Sequence, residues 1–180
     1  MQSTPVTGNP VVSKVMLIGQ APGPREPDIG KPFAWTAGKM LFKWTSTIGL
    51  DEEAFRHRVY MAAVCRCFPG KQPAGGDRVP SPDEIAHCAS WLDAELAINR
   101  PRLVIPVGKL AIRQFLSAER LDEVVGKLHR GRRNGVAFDI VPLPHPSGAS
   151  TWQHTEPGRT LLREALALIG AHAAWTKLRR

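Results

Sequence analysis

Two short segments of this chain place polar and aromatic groups at the ends of apolar runs. GQAPG (Gly19–Gly23) follows VMLIG (Val15–Gly19), and HPSGAS (His145–Ser150) follows FDIVPL (Phe138–Leu143). In an open parallel α/β sheet, loops at the carboxyl ends of strands meet in one crevice, and ligands bind there. The two loops can therefore face a single pocket. A third segment, GKPFAWTAG (Gly30–Gly38), adds Phe33 to the same rim. Gly30 and Pro32 fix a turn before Phe33 and let backbone come close to a ligand. His145 stands between Pro144 and Pro146. That bracket holds it off regular secondary structure, on a loop, where functional groups concentrate. Each group also has an ordinary reading: Phe33 as a core ring, His145 as a solvated loop histidine, Glu26 as a surface acid.

The elements that position these loops are legible as four buried strands, Val15–Gly19, Val59–Val64, Leu103–Val107 and Phe138–Leu143. Their Val, Ile, Leu and Met content suits strands covered on both faces. Helical patterns lie between them. Thr36 is a fitting N-cap for a helix carrying Met40, Leu41, Trp44 and Ile48, and Gly49 can end it. Ser81-Pro82-Asp83-Glu84 combines a capping serine, Pro at the first helical position and Glu three residues on, before Ile85, Cys88, Leu92 and Leu96 at helical spacing. Lys109–Leu116 and Arg159–Leu178 read as two more helices. Strand–helix alternation predicts a three-layer α/β/α sandwich around a four-stranded, mainly parallel sheet.

With 180 residues and no internal repeat, residues 1–180 read as one domain, with residues 1–14 a loose lead-in. No apolar run approaches the roughly 18–20 residues of a membrane span. The start MQSTPVTGNP lacks signal-peptide features, so a cytoplasmic protein is expected, and a monomer is the expected state. A net charge of +8 and a pI near 9.9 suit a polyanion partner, although many soluble proteins are basic for colloidal reasons. Lys127, Arg130, Arg132 and Arg133 cluster before the last strand, near the HPS loop in sequence, where they could hold phosphates. Lys177, Arg179 and Arg180 read as a solvated tail. Three cysteines argue against a disulfide framework.

The order GQAPG, GKPF, YMAAVCRCFPG, HPS resembles the uracil-DNA glycosylase superfamily, most closely its families 4 and 5. The resemblance runs from about Val15 to Ser150. It implies a monofunctional DNA glycosylase of base excision repair, which hydrolyses the N-glycosidic bond of uracil or another deaminated base flipped out of DNA. The partner would be single- or double-stranded DNA holding a damaged base. On that reading Phe33 stacks the flipped base. His145 hydrogen-bonds the departing base and stabilises its anion. Ser147, Gly148 and Ser150 approach DNA phosphate, with Arg130, Arg132 and Arg133 as further phosphate contacts. Gly19, Gln20 and Ala21 line the base-binding loop, and Glu26 is the candidate for activating water.

The chain departs from the family 4 pattern at three places. Gln20 stands where family 4 carries Glu, and Gln cannot act as a general base. Ala63 stands where an Asn reads the uracil edge, which opens two alternatives: the same fold acting on hypoxanthine or xanthine, or a catalytically weak DNA-binding homologue. Cys67 and Cys88 match two of the four iron–sulfur cysteines of family 4, but the N-terminal pair is missing. A four-cysteine cluster cannot form within a chain holding only Cys65, Cys67 and Cys88. No cofactor and no metal site are expected.

Overall fold

VMLIG carries no polar side chain, so it is stable only where both sheet faces are covered. The computed structural model, which describes residues 3–148 and 150–180, gives it that place. Strand β1 (Val15–Gly19) is buried throughout, between β2 (Tyr60–Ala63) and β3 (Leu103–Pro106). The sheet order is β2-β1-β3-β5-β4, with β4 (His129–Arg133) and β5 (Val136–Ile140) completing five strands. All neighbours are parallel except β4 and β5.

One face packs Val15, Leu17 and Ile105 against α2 (Thr36–Ser46), α3 (Glu52–Arg58), α6 (Gly158–Ala171) and α7 (Ala173–Leu178). The other packs Met16, Ile18 and Val104 against α4 (Pro82–Asn99), with Ala111 of α5 (Lys109–Arg113) at its edge. A single turn, α1 (Glu26–Ile29), lies in the loop after β1. The three-layer α/β/α architecture is as the sequence indicates.

The sheet has five strands, not four. The basic run HRGRR forms the edge strand β4, and Asn134-Gly135 turns it back into β5. Both turn residues have positive φ, 47° and 78°, as a two-residue Asn-Gly hairpin requires. The last strand begins earlier than expected, but its hydrogen bonds continue through Val141 N–H to Val104 O and Leu143 N–H to Pro106 O.

The lead-in is not loose at the described residues. Val6 is buried and donates to Arg66 O at 2.7 Å, and the Ser13 amide donates to Asn99 Oδ1 at 3.0 Å. The final helix breaks at His172, whose Nδ1 accepts from the Ala174 amide and whose Nε2 meets Asp139 Oδ2 at 3.1 Å. Thr36 is the first residue of α2 rather than its cap. The α4 capping box is present as read: Ser81 Oγ accepts from the Glu84 amide, and Glu84 Oε2 from the Ser81 amide.

Candidate active site

The chain passes from β1 outward to β2, then returns to β3 on the other side of β1. The strand order therefore reverses between β1 and β3, and the carboxyl ends of strands at such a switch point are where open α/β sheets bind ligands. Gly19 closes β1, and Gly108 lies two residues past the end of β3. The Phe33 ring lies across Gly19: a Cβ there would sit 3.1 Å from Cε2 and Cζ. His145 lies against Gly108 in the same way, with Cδ2 at 3.3 Å from such a Cβ. A side chain at either glycine would displace a ring. The register pairs Gly19 with Ala63, which puts the half-buried Ala63 beside the Phe33 seat.

Three devices hold Phe33. Its φ is +54°, a strained value for a side-chain-bearing residue. Arg56 donates to the carbonyls of Pro32 (2.9 Å) and Phe33 (3.1 Å), and its guanidinium stacks 4.6 Å over Phe42. Gly38 leaves room for the turn, since a Cβ there would lie 1.7 Å from the Phe33 carbonyl oxygen. Glu26 supplies the third. It is 8% exposed, and it accepts from the Gly23 amide at Oε2 and the Ala34 amide at Oε1, each at 3.2 Å. Burial pushes its pKa up, and the amide bonds pull it back part of the way. Both oxygens are committed to backbone, so Glu26 clips the GQAPG loop to the Phe33 segment.

His145 alternates with two buried prolines, which turn its ring outward. His145 is exposed, with one side of its ring against Gly108. Desolvation by the neighbouring protein draws its pKa below the ordinary 6.5, opposed by the charge of Asp77. Asp77 is a group the sequence reading missed. Its Oδ2 lies 3.8 Å from where a Gly23 Cβ would be, so it faces the GQAPG loop and His145 together. A small hairpin presents it, closed by the Lys71–Asp77 bridge and by Arg78 N–H to Gly70 O, with Gly75 and Gly76 at positive φ. Arg78 ties the base of that hairpin to α4 through Glu84, at 2.7 and 2.8 Å, and holds the Glu84 carboxyl well below the usual carboxylate range. The signal available in sequence was GGD inside a long Pro- and Gly-rich loop.

Gln20 is half-buried, and among the described residues no hydrogen bond engages its side-chain amide. Ala21 packs onto the α4-side core, as an apolar wall. In the HPS loop, the Ser147 carbonyl accepts from the Ser150 amide and from Gln153 Nε2, each at 3.2 Å. Gln153 is buried and positions this loop, a role the sequence did not suggest. Gly148 is open, with nothing within 4 Å of a would-be Cβ. Ala149 of the same segment lies outside the described residues.

The structure does not bring Arg130, Arg132 and Arg133 to the crevice. Strand β4 begins beside Ile140 and runs antiparallel, so the cluster follows the sheet edge toward the amino end of β5. Arg133 is occupied by Asp93 at 2.5 Å and lies 5.9 Å over Phe115. Proximity in sequence misled because the hairpin reverses direction. Exposed cations beyond the carboxyl ends of the strands include Arg25, Lys31 and Lys71 on loops and Lys109 at the start of α5. Arg25 stacks 4.0 Å over Trp35 at the rim, and Trp35 is 45% exposed.

Comparison with known proteins decides the family. The sequence model of the Uracil DNA glycosylase superfamily matches residues 5–170. This chain belongs to the uracil-DNA glycosylase superfamily. It is 30% identical to the Type-4 uracil-DNA glycosylase of Pyrobaculum aerophilum over 138 residues, covering 74% of this chain and 66% of that protein. The Type-4 enzyme of Archaeoglobus fulgidus is 30% identical over 141 residues, covering 75% and 66%. The Type-5 uracil-DNA glycosylase of Pyrobaculum aerophilum is 30% identical over 115 residues, covering 58% and 48%. The matched stretch thus spans just under two thirds of the length of the first two relatives.

The resemblance to family 4 of this superfamily implies an iron–sulfur cluster, and the thiols present do not fit one. Cys65 is buried, its Sγ donates to the Glu84 carbonyl at 3.6 Å, and its pKa is pushed up to about 12 by burial, then by Cys88 beside it. Cys67 is also raised by burial. A cluster held by four cysteines needs four thiols, and this sequence supplies three, Cys65, Cys67 and Cys88. Among the described residues no three His, Cys, Asp or Glu side chains are grouped to hold a metal ion. Likewise, no helix among them is long and apolar enough to cross a membrane.

Proposed function

We propose that this chain is a monofunctional DNA glycosylase that hydrolyses the bond between uracil and deoxyribose, acting as a cytoplasmic monomer. The observation that carries this reading is the pair of rings, Phe33 and His145, seated on Gly19 and Gly108 at the point where strand order reverses. A base turned out of DNA stacks on Phe33. Backbone amides of the GQAPG loop and the free Gln20 amide meet its edge. As the bond from C1′ to the base nitrogen breaks, the electron pair leaves with the base. His145, kept neutral by its surroundings, donates an N–H to the carbonyl oxygen where that charge collects. The sugar becomes cationic, and the Asp77 carboxylate steadies it and takes a proton from the water that bonds to C1′. Ser147, Gly148 and Ser150, with Arg25, Lys31, Lys71 and Lys109, hold the flanking phosphates.

Ala63 favours a second reading. Its methyl at the end of β2 offers no donor or acceptor where a base edge would lie, so the site discriminates less among deaminated bases. Oligonucleotides carrying uracil, hypoxanthine or xanthine, in single and double strands, test both readings by single-turnover cleavage. Uracil release that His145→Ala lowers about a hundredfold is the expected result. Faster release of hypoxanthine or xanthine would favour the second reading. Binding of all substrates without base release would leave a DNA-binding homologue.

A further inference from the structure

The sheet end opposite the crevice carries a groove that base release does not use. One cleft of about 530 Å³ is walled by Val11, Val12, Arg58, Arg102, Lys177 and Leu178, at the amino ends of the parallel strands. A second, of about 380 Å³, runs on to Arg130 and Phe138. Arg102, Ala173 and Ala174 line both, so the two form one continuous groove.

Its charge is one-sided. Lys14, Arg58, Arg102, Arg130 and Lys177 line it, and among the described residues no ion pair engages any of them. Lys14 donates only to the carbonyls of Asn99 and Arg100, and Arg58 to that of Leu178. The carboxylate present, Asp139, is held by His172. The floor is aliphatic, and Val12 is 75% exposed.

These features select the occupant. A DNA duplex is a convex rod and does not enter a cleft of this size. A single strand is held chiefly by stacking its bases on exposed aromatic rings, and apart from the imidazole of His57 the lining offers none, its Phe138 being buried. Carboxylates suit unpaired guanidinium groups, and an aliphatic floor suits an apolar anchor. We propose that this groove binds an acidic protein segment, with carboxylates on Arg58, Arg102, Arg130 and Lys177 and an apolar side chain on Val11, Val12 and Leu178. Since the groove lies away from the crevice, such a partner and DNA bind together.

The test is fluorescence anisotropy with a fluorescein-labelled hexapeptide, Asp-Asp-Leu-Asp-Leu-Asp, its Asn-for-Asp counterpart, and labelled octathymidylate. The acidic peptide should bind at least about tenfold tighter than its amide counterpart. Arg102→Ala combined with Lys177→Ala should weaken it about tenfold or more, whereas His145→Ala should bind as the unmodified protein does. Both replaced side chains are exposed, so the fold is retained. Nitrogen–proton correlation spectra of the unmodified protein should show peptide-induced shifts at Val12, Arg102 and Ala174 rather than at Gly148. Equal binding of both peptides, binding indifferent to the double substitution, or octathymidylate binding lost in its place would overturn the proposal.

Discussion

On the proposed mechanism Glu26 holds backbone while Asp77 handles the water, and two substitutions separate these roles. Glu26→Gln replaces one of two acceptors with an NH2 group facing a backbone N–H. An unpaired buried donor costs about 1–3 kcal/mol. The expected outcome is a melting temperature lower by several degrees, checked by thermal denaturation. Asp77→Asn keeps size at an exposed position, so stability stays within about 0.5 kcal/mol. Its single-turnover uracil release should instead fall about a hundredfold. The reverse pattern would return water activation to Glu26. The His145 titration adds a second reading of the same geometry. Between its lowered pKa and 6.5 the folded chain binds fewer protons at this ring than the unfolded chain, so stability declines as pH falls through that window. Carbon–proton NMR should place the midpoint below 6.5, and lower still in Asp77→Asn, because the Asp77 charge raises it. A midpoint unmoved by that substitution would detach Asp77 from the site.

At the scale of elements, the Phe33 segment is held by groups outside it. Gly38→Ala would drive a methyl into the Phe33 carbonyl and force the turn off its Arg56 donors. Alanine is the better helix former by up to about 1 kcal/mol, so α2 itself persists. The expected signature is unchanged helical circular dichroism with uracil-DNA capture weakened by roughly 1–3 kcal/mol, the worth of lost stacking. Unimpaired capture would mean that the ring is placed by something else. Here the limits of sequence are plain. GQAPG, GKPF and HPS are contiguous, so their loops and the ring-bearing residues were legible. Arg56, Gln153 and Asp77 reach the site from other elements, and no local pattern links them to it. The basic run misled for a related reason: HRGRR reads as a charged patch, whereas the Asn-Gly turn after it makes it an edge strand. Charge on an edge strand also guards against edge-to-edge pairing, so this composition has a structural cause.

For the whole molecule, the alternation of apolar runs and helices was enough to give three layers, because a sheet buried on both faces admits few other arrangements. Charge placement was not legible in that way, since it depends on which end of each strand a loop leaves. Four exposed cations, Arg25, Lys31, Lys71 and Lys109, leave from the carboxyl ends, while Arg130 and Arg132 lie along the edge. Phosphate contacts release counterions, so each one adds roughly 0.9 to the slope of log affinity against log salt on a duplex. Replacing Lys31, Lys71 and Lys109 together by Ala should therefore lower that slope by up to about three, measured on a uracil-containing duplex across a salt series. Arg130→Ala with Arg132→Ala should leave it unchanged. If the edge pair carries the slope, DNA wraps past β5 and the crevice loops do not hold the phosphates.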